Sequence, residues 1–406
     1  MNGPLQGIRV LDLSRVLAGP WAGQLLGDYG ADVIKVERPG SGDDTRRWGP
    51  PWLRDADGRD TGESAYFLAA NRNKRSITVD ISRPSGQRVL RELVAKSDIL
   101  LENFRVGSLT RYGLDWASLS ELHPALVYCS ISGYGQTGPR AAEPGYDAMM
   151  QASAGLMSIT GSPAEEGGAP QKVGVAICDI MAGMYAVTAI LAALQARARN
   201  GQGQHIDIPL FDSQVAWLAN QGLNYLVSGD VPQRLGTAHP NIVPYQAFET
   251  SDGFLMLAVG NDRQFRACMQ SLGCPELAGL PKFSTNAVRV ENRRELIAIL
   301  VERFRRRTTS EWLAELLRQR VPAGPINDLA AVFSAPQTRD AQLVRRLPHP
   351  AAEAVPTLAN PARFSATPVA YQCAPPVLGQ HTIEILRDEL GYSDGAIAAL
   401  RDDGAI

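Results

Sequence analysis

The first 210 residues alternate short runs of branched aliphatics with amphipathic stretches, and this alternation restricts the fold more than any other feature of the chain. Ile8–Leu13 (IRVLDL) has the composition of a buried strand, Gly19-Pro20 then opens a helix that stops near Gly30, and a second apolar strand runs from Asp32 to Val36. That is a β-α-β unit. The pattern recurs as a strand from Ser76 to Ile81, a helix from Pro84 to Lys96, a strand from Asp98 to Glu102, a short helix near Trp116–Leu122 and a strand from Ala125 to Ile131. Strands that alternate with helices need crossover connections. The expected fold class is therefore α/β, a parallel sheet covered on both faces with ligands at the carboxyl ends of its strands.

A chain of 406 residues is longer than one core usually serves, so two domains are expected. Asp179–Asn200 is rich in Ala, carries basic residues in its last turns and ends at Gly201, the pattern of a helix opened by Asp179. His205–Pro209 adds a strand, and Asp212–Val227 a helix that leaves the first domain. The composition then changes. Tyr245–Gly260 reads as two strands joined at Ser251-Asp252-Gly253, followed by helices near Arg263–Leu272, Asn292–Arg305 and Ser310–Arg318. The expected division is a large domain over residues 1–210, a small α+β domain over 228–330, and a return to the large domain over 345–406. From Leu347 the sequence is rich in Pro and Ala without clear periodicity, and Thr382–Leu390 is its last helical stretch.

Lys and Arg number 40 against 42 for Asp and Glu, a net charge of −2, which argues against a nucleic-acid surface or a polybasic membrane anchor. The expected partner is a small molecule or another subunit. The five cysteines form no CxxC pair, and no His stands at zinc-finger spacing, so no disulfide framework, no metal and a reducing cytoplasm are expected. The N-terminus lacks a basic segment followed by an apolar one, and no run is read as long enough to span a bilayer, so no membrane association is expected. The first β-α turn, Ser14-Arg15-Val16-Leu17-Ala18-Gly19-Pro20, lacks the GxGxxG of dinucleotide sites. GxxxxGK[ST], HExxH and GxSxG are also missing from the chain.

The blocks PLQGIRVLDLSRVLAGP, DVIKVERPGSGDDTR, NRNKRSITVDI, LENFRVGSL and ILAALQARARNGQGQHIDIPLFD resemble the class III CoA transferases, among them formyl-CoA, carnitine and dicarboxylate CoA transferases. The resemblance covers nearly the whole chain. It implies an interlocked homodimer in which each chain builds a Rossmann-like large domain and a smaller one. It also implies that Asp179, the last residue of Val173-Gly174-Val175-Ala176-Ile177-Cys178-Asp179, is a covalent nucleophile toward an acyl-CoA thioester, which is a substrate and not a resident cofactor. Without the resemblance Asp179 is an N-cap. The two roles are compatible, because backbone N–H groups and the helix dipole are expected to keep such a carboxylate ionised. Cys178 beside it is expected to be a packing residue.

By the same resemblance Val16, Ala18, Arg38, Arg72, Lys74, Arg75, Asn103, Phe104 and Arg111 are CoA contacts, offering cations to phosphates and apolar walls to pantetheine. Each cation standing alone also reads as a solvated surface residue. Leu17 stands where formyl-CoA transferase has a glutamine, which turns the expectation away from formyl-CoA and oxalate. In Pro144-Gly145-Tyr146-Asp147, Tyr146 stands where the related α-methylacyl-CoA racemases carry a histidine; the plainer reading is that Tyr146 and Asp147 cap a helix. His239 and Asn261 belong to the small domain and are candidate substrate contacts, although Gly260-Asn261-Asp262 also reads as a turn with Asp262 as N-cap. The expected reaction passes CoA from succinyl-CoA to a small dicarboxylic acid such as glutarate, itaconate or succinate. A racemase and a non-catalytic CoA-binding subunit are the alternatives.

Overall fold

The computed structural model describes residues 3–406. Among them six strands lie parallel in one sheet: β1 (Arg9–Asp12), β2 (Asp32–Glu37), β3 (Lys74–Thr78), β4 (Ile99–Glu102), β5 (Val127–Ser132) and β6 (Gln204–Pro209). Their order is β3-β2-β1-β4-β5-β6, so the chain adds strands on one side of β1 and then on the other. A crevice opens where such an order reverses, here beyond the ends of β1 and β4.

Helices along this part of the chain include α1 (Ala18–Asp28), α2 (Pro84–Val94), α3 (Asp147–Ser153) and α4 (Ile177–Asn200). Successive strand residues face opposite sides, and both faces are apolar. Val10, Val33, Leu101 and Val127 pack with Leu26 of α1 and with Ala186 and Ile190 of α4. Leu11, Ile34 and Leu100 pack on the other face with Val89 and Leu93 of α2 and with Ile385 and Ile397 from the C-terminal segment.

The third strand starts two residues earlier than expected, at Lys74 instead of Ser76. Charged residues fit there because neighbouring elements supply carboxylates: Lys74 Nζ lies 2.9 Å from Asp12 and an Arg75 nitrogen 2.7 Å from Asp32. The helix α4 corrects another expectation. By length and apolarity its 24 residues are enough to cross a bilayer, contrary to the reading that no run is. A core helix passes the same test, and Cys178, Ala182, Ala186, Val187, Ile190 and Ala193 are buried in the core described above.

The chain divides into two compact units. The first takes the residues up to Ala154, Gly174–Trp217 and Pro336–Ile406; the second takes Gly155–Val173 and Leu218–Ala335. The second thus includes a short excursion before α4 that the sequence reading assigns to the large domain. It holds an antiparallel sheet of β7 (Tyr245–Glu249), β8 (Phe254–Ala258) and β9 (Ala323–Pro325), with Phe248, Leu255, Phe265, Leu300, Phe304 and Trp312 in its core. The helix expected over Asp212–Val227 is two helices, Leu210–Ala216 and Ala219–Ser228, and Ala219, the first residue of the second, has φ +44°. A hairpin, Val344–His349 with Ala352–Leu358, spans the start of the region read as aperiodic from Leu347. Its buried face holds Leu347, His349, Val355 and Thr357, an alternation that the intervening Pro and Ala residues obscure.

Candidate active site

The loop leaving β1 meets the loop leaving β4 at the reversal of strand order. Arg15 N donates to Asn103 Oδ1 at 2.9 Å, and Asn103 Nδ2 returns a bond to Arg15 O at 2.7 Å. The Arg15 guanidinium stands 5.4 Å from the centre of the Phe104 ring. Between these loops and α1, Val16 has φ +71°, a conformation that strains a β-branched residue. Its N–H donates to Asp43 Oδ1 at 3.2 Å, and Asp43 is fixed in turn by Lys35 at 2.9 Å, both side chains being fully buried. Lys35 also donates to Ser14 O at 2.9 Å. Burial alone would raise the pKa of Asp43, yet Lys35 and the Thr45 hydrogen bonds hold it below the usual carboxylate range. The cavity loop therefore rests on a buried ion pair.

Two cavities of about 340 Å³ each flank this loop, and Arg15 and Phe104 line both. Val16, Leu17, Ala18, Asn103, Tyr146 and Asp179 line the first. Arg38 and Arg111, both exposed, line the second together with apolar Val36, Val79 and Ile81. Most of the residues singled out in the first unit are thus brought to one place. Gly183, one turn beyond Asp179, helps make this possible: a Cβ there would stand 2.7 Å from Ala18 O, so its absence lets α4 press against the start of α1.

Asp179 is buried, yet it does not cap its helix. The N-cap residue is Ala176, which offers no side-chain bond, and Asp179 sits in the first turn of α4. The first amides donate instead to Asp147: Cys178 N reaches Asp147 Oδ1 at 2.8 Å and Asp179 N the same oxygen at 3.4 Å. Gln151 Nε2, one turn along α3, holds Asp147 Oδ2 at 2.7 Å. Burial, with the Asp147 carboxylate adding to it, pushes Asp179 up to about 7. The expectation of a firmly ionised capping carboxylate is corrected on both counts. Cys178 is fully buried, with Sγ 2.9 Å from Gln214 Oε1, and burial pushes its thiol up to about 12, as suits a packing residue. Tyr146 precedes α3 and is 61% exposed.

Three expected contacts are not brought to the cavities. Arg72 Nε donates to Asp28 at 2.8 Å, Lys74 Nζ to Asp12 and Asn71 at 2.9 Å each, and Arg75 pairs with Asp32. Arg72 and Lys74 are nearly or fully buried, so their charges serve internal carboxylates and are not offered to phosphates. In the second unit His239 Nδ1 accepts from Asn241 N at 3.0 Å, and its ring stacks on Tyr245 at 5.3 Å. Asn261, not Asp262, is the N-cap, its Oδ1 accepting from Gln264 N at 2.9 Å, while Asp262 pairs with Arg289 at 2.7 Å. Sequence reasoning overlooked Arg15, although it lies inside the quoted block, and gave Asp147 to its own helix. Lys35 and Asp43 lie inside the second quoted block, and a lysine within an apolar strand expected to be buried is the local sign of the pair. Among the described residues no group of His, Cys, Asp and Glu converges as a metal ligand set.

The sequence model of CoA-transferase family III matches residues 5–382. A succinate–glutarate CoA-transferase of Agrobacterium fabrum is 48% identical over 385 residues, covering 95% of this chain and 95% of its own. A human succinyl-CoA:glutarate CoA-transferase is 46% identical over 403 residues, 99% of this chain and 90% of that protein. Among solved structures, a CAIB/BAIF family protein from Brucella suis superposes with a TM-score of 0.83 at 48% identity, covering 96% of this chain and all of that one.

Proposed function

The chain belongs to CoA-transferase family III, and we propose that it moves CoA from succinyl-CoA to glutarate through a thioester on Asp179. The single observation that carries the mechanism is a buried carboxylate in a cavity that adjoins a second one lined by Arg15, Arg38 and Arg111. The names of the relatives support the substrates. In this reading the arginines take the phosphates of CoA, and Phe104 and Val16 wall the pantetheine arm that leads to Asp179.

The chemistry balances without a metal or a redox partner. Asp179 carboxylate attacks the succinyl carbonyl, the C–S bond breaks, and a mixed anhydride and CoA thiolate result. The thiolate attacks the Asp179 carbonyl and releases succinate, leaving aspartyl-CoA. Glutarate attacks that thioester, and the expelled thiolate then attacks the glutaryl carbonyl of the new anhydride, restoring Asp179. Burial excludes the water that would hydrolyse the anhydride, and a carboxylate poised near neutrality is more basic than a solvated one while still partly ionised. Racemisation calls for an acid or base on each face of the α-carbon, which exposed Tyr146 serves poorly.

The functional protein in this proposal is an interlocked homodimer in a reducing cytoplasm. Helix Ala219–Ser228 has no buried residue while exposing Leu223, Leu226 and Val227, and Leu329 and Phe333 of Leu329–Ser334 are exposed as well. A ten-residue helix without a packed face is unstable in water, and such apolar patches are the usual mark of an interface. The five free cysteines suit a reducing compartment.

Incubation with succinyl-CoA and glutarate, read by mass spectrometry, should yield glutaryl-CoA and succinate in equal amounts. A set of other carboxylic acids tested in parallel should be poorer acceptors. Exchange with a different acid and none with glutarate would overturn the substrate assignment while leaving the family intact.

A further inference from the structure

We infer that Asp147 is the positioning residue for Asp179: its carboxylate takes the first amide donors of the nucleophile's helix, denies them to Asp179 and so keeps the nucleophile basic. The inference deepens the proposed function and rests on its aspartyl-CoA step. The free N–H groups of a helix N-terminus, with about half a positive charge behind them, are the natural partners of a carboxylate in the first turn. Had Asp179 taken them, it would be held ionised and weakly nucleophilic. In α4 they are already committed. Asp147 Oδ1 receives Cys178 N at 2.8 Å and Asp179 N at 3.4 Å, and Asp147 Oδ2 receives Gln151 Nε2 at 2.7 Å, so this carboxylate is fixed from both its own helix and the nucleophile's.

The arrangement places one carboxylate beside another that is already poor in water. Cys178 on the same helix and Tyr66 lie nearby; Tyr66 is pushed upward by burial and by the charges of Asp179 and Asp147. Tyr146, Arg15, Asp44, Arg105 and Glu143 line the same cavity. Among the described residues the charge that acts on Asp179 is that of Asp147, added to the larger effect of burial. Asn has the same shape and would keep the oxygen that caps the helix while losing the charge; its Nδ2 only donates, so the Gln151 amide must turn to present Oε1 in place of Nε2. Capping and charge are therefore separable by Asp147→Asn, because Asn serves as an amide acceptor about as well as Asp.

The test follows the rate at which succinyl-CoA, without acceptor, loads CoA onto Asp179 in a single turnover, from about pH 5 to about pH 9, since only the ionised carboxylate attacks. The wild-type rate should rise with pH through about 7. In Asp147→Asn the rising limb should move to lower pH by about one unit and the plateau should fall, with the affinity for succinyl-CoA and the thermal midpoint little changed. Asp147→Glu should keep the limb near its wild-type position. Coincident limbs in wild type and Asp147→Asn would overturn the inference, and so would a wild-type limb in the ordinary carboxylate range, which needs no variant to fold. Adduct formation with an unmoved limb sinks only this inference, whereas a wild type that forms no adduct on Asp179 at any pH sinks the covalent mechanism and this inference with it.

Discussion

A carboxylate that is buried beside another carboxylate costs the fold stability, and Asp179 is in that position. Its pKa is raised from 3.8 in the unfolded chain to about 7 in the folded one, so the native state holds the proton more tightly. The sign follows: its contribution is most favourable below 3.8 and is lost as pH rises through about 7. Asp179→Asn should therefore melt higher than wild type at alkaline pH and almost equally at acid pH, while losing all exchange; equal melting shifts at both ends in a scanning experiment would contradict the buried-acid account. At this scale the sequence is legible only in part. The resemblance picks out Asp179, but its capping role was misread because the helix starts at Ile177, and nothing in Val175-Ala176-Ile177 marks that start. Arg72 and Lys74 were misread because Asp28 and Asp12, which neutralise them, lie 44 and 62 residues away.

At the level of elements, the site depends on a loop, Ser14–Leu17, that is held from below by β2 and the turn after it. Lys35 on β2 pairs with Asp43, and Asp43 receives the N–H of Val16 in its left-handed conformation. Removing one partner of a fully buried pair strands the other, so Lys35→Met should cost about 3–5 kcal/mol in denaturant unfolding. It should also raise KM for succinyl-CoA more than it lowers kcat, since the loop lines the cavity and does no chemistry; unchanged stability would show that the pair does not support the loop. The alternation of strands and helices is readable because its apolar runs are local, and both strand faces are buried, as in parallel sheets generally. The break between Leu210–Ala216 and Ala219–Ser228 is not readable, since no Pro or Gly interrupts Trp217-Leu218-Ala219.

For the whole molecule, the sequence reading expects two domains and a C-terminal return; the chain divides into two compact units, with Pro336–Ile406 in the first and Gly155–Val173 in the second. That excursion is rich in Gly and Pro, which marks it as loop-like but does not say which core it joins. The exposed Leu226 and Val227, at 74% and 84%, give the assembly proposal its physical basis. Sedimentation at low concentration should show a dimer whose dissociation and loss of activity coincide; an active monomer would contradict it. The central claim, covalent transfer through Asp179, is tested most directly by incubating the enzyme with succinyl-CoA and no acceptor, digesting it, and locating the added mass. CoA should appear as a thioester on Asp179 in the peptide spanning Val173 to Met184, and glutarate added before digestion should discharge it as glutaryl-CoA. An adduct on any other residue, or undiminished exchange by Asp179→Asn, would contradict the account.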